Sequence, residues 1–291
     1  MPEIVIETRR HDLGGGFEVG RVLPFRKCRS VGPFVFFDRM GPHDMVAPIP
    51  LERDVRPHPH IGLSTVTYLF EGEMTHRDSL GYKQLILPGE LNWMTAGAGI
   101  SHSERFDGMR ATGGRLDGIQ AWVALPEEYE ETKPSFVHYN AFELPVMREE
   151  GLWARLIAGS AFGLESPVTV HSPLFYLHME VSMGMRVPLP RAYPERALYI
   201  NSGKLQIQGQ IYVAGQMLVF ARDSLPDVMA QENTRLMLLG GEPLGPRHMW
   251  WNFISSRKER IEQAKADWKA GKFSLPPDDN TEFIPLPETM A

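Results

Sequence analysis

The 291-residue chain has little cysteine, no long apolar run and no excess of positive charge. Cys28 is its single cysteine. That excludes an intramolecular disulfide framework and any Cys-rich zinc site, and it fits a reducing compartment. No stretch approaches about 18 consecutive apolar residues, so no membrane-spanning helix is expected. The N-terminus, Met1-Pro2-Glu3-Ile4-Val5-Ile6-Glu7-Thr8-Arg9-Arg10, has no basic segment followed by an apolar one. It does not read as a secretory signal, and the expected location is cytoplasmic. Thirty Lys and Arg stand against 36 Asp and Glu, a net charge of −6. That argues against a phosphate-binding surface and against direct contact with nucleic acid. No phosphate loop is present.

What the chain does contain is glycine and proline spread along its length, with short Val-, Ile-, Tyr- and Phe-rich stretches between them. Val35-Phe36-Phe37, Thr65-Val66-Thr67-Tyr68-Leu69-Phe70, Gly118-Ile119-Gln120-Ala121-Trp122-Val123 and Leu205-Gln206-Ile207 are examples. Short strands punctuated by turns predict an all-β sandwich or barrel. The length suits about two domains at roughly 150 residues each. A single helix is predicted over 257–270. Ser255-Ser256 are placed to cap it, Gly271 to end it, and Ile261, Ala264 and Trp268 form an apolar face. The proline-bearing tail from Pro276 onward is expected to be extended and to wrap the surface. Trp250 and Trp251 are expected to pack where that tail meets the body.

A short internal repeat supports two related units. Tyr68-Leu69-Phe70-Glu71-Gly72-Glu73 is similar to Tyr199-Ile200-Asn201-Ser202-Gly203-Lys204. Leu87-Pro88-Gly89-Glu90-Leu91-Asn92 is similar to Val213-Ala214-Gly215-Gln216-Met217-Leu218.

The histidines carry the chemistry. His58-Pro59-His60 and His102-Ser103-Glu104 are pairs spaced by two. On a strand such residues share a face. A His-x-His pair alone fits hydrogen-bonded histidines as well as it fits a metal. Three imidazoles with one carboxylate form a mixed N/O donor set, which suits Fe(II), Mn, Ni, Cu or Zn better than Ca or Mg. Met94-Thr95-Ala96-Gly97-Ala98-Gly99-Ile100-Ser101 leads into the second pair, and its glycines permit a close backbone approach. His76, just before the turn Asp78-Ser79-Leu80-Gly81, reads as an exposed hairpin residue or as one near the pocket mouth. His43 reads as loop surface. Phe36, Phe37, Met40, Trp93 and Met94 read as core or as an apolar pocket lining. Cys28, among Arg26, Lys27 and Arg29, reads as inert or as a thiol of lowered pKa.

Several stretches together are recognisable. They are Val31 through Pro42, His58-Pro59-His60-Ile61-Gly62, Thr65 through Gly72, His76-Arg77-Asp78-Ser79-Leu80-Gly81, and Trp93 through Glu104. With these the chain resembles the pirin family of the cupin superfamily, most strongly over 31–126. The resemblance implies a bicupin: two face-to-face double-stranded β-helix, or jelly-roll, barrels with a C-terminal helix. Residues 1–135 would form the N-terminal barrel, and 136–291 a metal-free C-terminal barrel with helix and tail. It implies one divalent transition metal on His58, His60, His102 and Glu104. Fe(II) is the expected ion, and Mn, Ni, Cu, Co or Zn are admitted by the same donors. Departures from the family pattern are Ile61, Ser64 and Arg39. By the offsets of the repeat, His58 and His60 map to Leu189 and Arg191, and His102 and Glu104 to Val228 and Ala230, so no ligand set is expected in the second unit.

Resemblance to bacterial pirins further implies a dioxygenase of quercetin 2,3-dioxygenase type, with a flavonol-like aromatic substrate, O2, and Glu104 as general base. The alternative that the resemblance carries is an iron-dependent regulatory protein, which would bind a transcription factor or a metabolic enzyme without turnover. A monomer without membrane or nucleic-acid partners is expected, with a protein partner in the second reading.

Overall fold

The computed structural model describes residues 1–288. It is built of strands with one α-helix, Lys258–Lys269, among the described residues. None of its helices is long and apolar enough to cross a membrane.

The chain forms two compact units. One comprises 10–19, 38–141 and 244–291; the other comprises 1–9, 20–37 and 142–243. The sequence led us to expect a single cut after 135, whereas the units interleave. The strand Ile4–Glu7 pairs with Gln216–Phe220, which ties the N-terminus to the second unit. Phe253 bridges to Ile61, which ties the segment after 244 to the first.

Each unit has the same two-layer plan. In the unit that carries the histidine pairs, one layer runs Ser135–Tyr139, Leu91–Thr95, Leu63–Glu71, Gly114–Ala124 and on to Phe34–Met45. The other layer runs Val55–His60, Ile100–Arg105, Met74–Asp78 and Lys83–Ile86. In the second unit the matching order is Gln216–Phe220, Glu195–Ser202, Thr234–Gly241 and Leu174–Val181. Its smaller layer has Lys204–Ile207 between Val228–Ala230 and Gln210–Val213. The repeat seen in the sequence is thus a repeat of topology, and the fold is the all-β bicupin.

The two units differ in what fills the corresponding positions. Val228 and Ala230 are buried in a continuous apolar core with Leu198, Leu205 and Leu236, and Leu189 packs against it. Arg191 instead lines a cleft of about 620 Å3 with Phe162, Glu165 and Tyr193. Neither that cleft nor the core holds a group of metal-ligating side chains among the described residues.

The helix buries Ile261, Ala264 and Trp268, as its spacing predicts. Burying an aliphatic side chain such as Ile261 stabilises the fold by roughly 1.5–3 kcal/mol. Trp250, Trp251, Phe273, Leu275 and Leu286 close over the same cluster, so the two tryptophans pack the helix and tail onto their unit. Gly271 ends the helix with φ +67, its N–H donating to Trp268 O while Lys272 N–H donates to Asp267 O. That is a left-handed glycine cap. The serines do not cap the start. The N-cap is Arg257, with no side-chain cap bond. Glu130, from far away in sequence, takes Ser255 Oγ, Ser256 N and Ser256 Oγ instead.

Candidate metal centre

The strands Val55–His60 and Ile100–Arg105 pair antiparallel, with His58 opposite His102 and His60 opposite Ile100. Alternation then sends His58, His60 and His102 to one side. Their candidate ligand atoms all lie within 4.8 Å of one another. The Nε2 atoms of His60 and His102 are 3.1 Å apart. His58 donates from Nδ1 to the Arg56 carbonyl at 2.9 Å, which leaves its Nε2 bare. All three rings are buried.

Gly97 lets the chain reach this strand. Its φ is +49, and a Cβ there would meet Thr132 O at 2.0 Å. The close backbone approach expected of this glycine is therefore a physical requirement.

Glu104 is not within the three-imidazole group. The ladder with Val55–His60 shifts register between His102 and Glu104, so Glu104 lies opposite Val55. On the other side it lies opposite His76. It is buried, and its Oε1 has no hydrogen-bond partner. A buried, unpartnered carboxylate oxygen is costly unless something else completes it.

The electrostatics match the geometry. Burial lowers the pKa of His58 to about 4. Burial, and then the neighbouring imidazoles, hold His60 and His102 well below their ordinary range. Neutral imidazole is the form that binds a metal. Burial raises Glu104 to about 7, against a lowering hydrogen bond from Thr67. The donor set and the orphaned oxygen fit a transition ion of N/O preference.

The strand of His102 and Glu104 is gripped from behind. Ser101, Ser103 and Arg105 alternate with His102 and Glu104 and point the other way. Ser101 Oγ donates to Ser274 O at 2.5 Å and Ser103 Oγ to Asp279 Oδ2 at 2.6 Å. Arg105 donates to both oxygens of Asp279 at 2.7 and 2.6 Å. The tail expected to wrap the surface thus clasps this strand.

Other residues fall as follows. His76 is buried, not an exposed hairpin residue, because it faces the same side as Glu104. Its ring stacks on Phe136 at 4.3 Å. Neither His76 nor Asp78 is assigned to the site by the sequence, although His76-Arg77-Asp78 repeats the spacing by two. Trp122 stands edge-on to His60 at 5.2 Å. Of the departures from the family pattern, Arg39 makes a paired contact with Asp117 at 3.1 and 3.0 Å, Ser64 bonds Thr95 at 3.0 Å, and Ile61 packs on Phe253. Phe36, Phe37, Met40, Trp93 and Met94 are all buried. Burial and Glu195 raise Cys28 to about 11, so its basic neighbours do not make a reactive thiol.

Comparison with known proteins gives a consistent picture. The family model described as Pirin matches residues 16–123, and that described as Pirin C-terminal cupin domain matches 176–274. A Caulobacter vibrioides protein described as pirin-like is 59% identical over 289 residues, 99% of this chain and 100% of that protein. The crystal structure of quercetin 2,3-dioxygenase from Acinetobacter baumannii is 34% identical with a TM-score of 0.88, over 99% of this chain and 97% of that one. A bacterial pirin from Escherichia coli in complex with nickel(II) shares the fold, with a TM-score of 0.62 at 19% identity, over 82% of this chain and 99% of that one.

Proposed function

The chain belongs to the pirin family, and from that premise we propose that it cleaves flavonols with O2 at a mononuclear metal held by His58, His60, His102 and Glu104. The reaction is that of a quercetin 2,3-dioxygenase: flavonol and O2 give a depside and carbon monoxide, with every atom accounted for. The observation that carries this reading is the meeting of three buried imidazoles beside a buried carboxylate with an unpartnered oxygen. The solved quercetin 2,3-dioxygenase with the same fold supports it.

Fe(II) is the proposed ion, and nickel(II), found in a bacterial pirin of this fold, suits the same donors. When bound, the ion supplies Lewis acidity toward the flavonol oxygen and a redox partner for O2. The chain supplies the rest. His58, His60 and His102 offer neutral nitrogens. Glu104 offers a buried carboxylate on the face shared with His102. Its second carboxylate oxygen takes the proton of the flavonol 3-hydroxyl. Trp122, edge-on to His60, adds an apolar wall beside the imidazoles of the kind that suits a planar ring system.

Elemental analysis of purified protein should find one transition metal per chain, lost in His58→Ala. Metal-replete protein under air should bleach quercetin and release carbon monoxide. No stoichiometric metal refutes the site. Full metal with unchanged quercetin absorbance refutes the activity.

A further inference from the structure

Two buried polar residues beside the imidazole group have no part in the chemistry so far. Asp78 lies opposite His102 across the ladder, and His76 opposite Glu104, so all four share one face. Asp78 is fully buried, and His76 nearly so.

We propose that Asp78, acting through His76, fixes the tautomer of His102 so that His102 presents a bare Nε2 to the ion. His76 and Asp78 are then positioning residues, and the inference rests on the metal reading of the cluster.

The chain of donors runs in one direction. Asp78 Oδ1 accepts the backbone N–H of Leu80 at 2.9 Å and of Tyr82 at 3.2 Å. Asp78 Oδ2 faces His76 Nε2 at 2.9 Å. A carboxylate only accepts, so His76 carries its proton on Nε2. With its one proton held on Nε2 by Asp78, the His76 ring leaves Nδ1 bare. That atom is 3.4 Å from His102 Nδ1, which must be the donor. His102 Nε2 is then a free lone pair, and it is the atom that meets His60 Nε2. The stack of Phe136 on His76, 11° from parallel, holds the ring in this orientation. His58 reaches the same state by one step, through the Arg56 carbonyl. Partners that set the tautomer of a ligating histidine act on affinity without touching the ion.

Asp78→Asn isolates the effect. An asparagine keeps Oδ1 for Leu80 and Tyr82 and turns a donor toward His76. The relay then reverses, and His102 holds its proton on Nε2. Two readouts test this. Imidazole 15N spectra of the metal-free protein should show His102 as the Nδ1–H tautomer in the wild type and as Nε2–H in Asp78→Asn. Ni(II) affinity, measured by chelator competition, should fall roughly 10–100-fold in the variant. His76→Phe keeps the stack on Phe136 and removes the acceptor, so it covers the case of a misfolded Asp78→Asn. It should lose the single tautomer and a similar factor in affinity. A wild-type His102 in the Nε2–H form overturns the proposal. So does an Asp78→Asn protein with the wild-type tautomer and affinity. A wild type that takes up no Ni(II) refutes the metal reading instead, and its imidazole spectrum still decides the relay.

Discussion

The clasp behind the strand Ile100–Arg105 can be released by a single substitution. Asp279→Ala removes the acceptor of Ser103 Oγ and both acceptor atoms used by Arg105. The Arg105 side chain is 9% exposed and keeps Asp54 at 3.4 Å and Glu282 at 3.1 Å. Removing one partner of a buried ion pair costs about 3–5 kcal/mol, and the remaining partners bring the expected loss to roughly 2–4 kcal/mol. At roughly 2–4 °C per kcal/mol, the Tm should fall by roughly 5–15 °C. The loss should also depend on pH. Burial pushes the Asp279 carboxyl up, but the hydrogen bonds and charge of Arg105, with Ser103, outweigh it and hold the pKa below its ordinary value. The stabilisation is therefore present above the unfolded pKa and is lost as pH falls through the lower folded one. Urea and thermal unfolding of wild type, Asp279→Ala and Asp279→Asn, at neutral pH and in acid, read this directly. The gap between wild type and Asp279→Ala should narrow in acid, with Asp279→Asn intermediate at neutral pH. A loss below about 1 kcal/mol, equal at both pH values, refutes the clasp as a structural tie.

Two further outcomes follow from buried groups. In metal-free protein, the Glu104 carboxyl is raised from 4.5 to about 7 by burial. The associated stability is full below the unfolded value and is lost as pH rises through about 7, about 3 kcal/mol in all at about 1.4 kcal/mol per pKa unit. Glu104→Gln does not titrate, so metal-free wild type should lose stability against this variant across that window, and parallel pH profiles would refute the burial argument. Cys28, raised from 9.0 to about 11 and donating to Ser30 O, should be alkylated roughly 100-fold more slowly at neutral pH than a cysteine of ordinary pKa. Equal rates in folded and urea-unfolded protein would contradict this.

Much of the site is legible from spacing. The alternation of His102 and Glu104 with Ser101, Ser103 and Arg105 follows from the period of a strand, and so does the shared face of His58 and His60. What the sequence does not reveal are long-range partners. Asp78-Ser79-Leu80-Gly81 marks a turn, and the turn is there, but its neighbour His76 is buried because Glu104 and His102 lie across the ladder. Ser255 and Ser256 have the local chemistry of caps, yet Glu130 takes their bonds from more than a hundred residues away. Glu104 has the right spacing for a ligand. The register shift beside it, which a spacing rule does not reveal, sets it opposite Val55 instead of Arg56.

The interleaving of the two units has a genetic consequence. Each unit is drawn from three separate stretches of chain. No single truncation or crossover can deliver one of them without carrying off pieces of the other. Recombination must therefore move the pair together. The copy with Leu189, Arg191, Val228 and Ala230 at the equivalent positions is inherited whenever the histidine-bearing copy is.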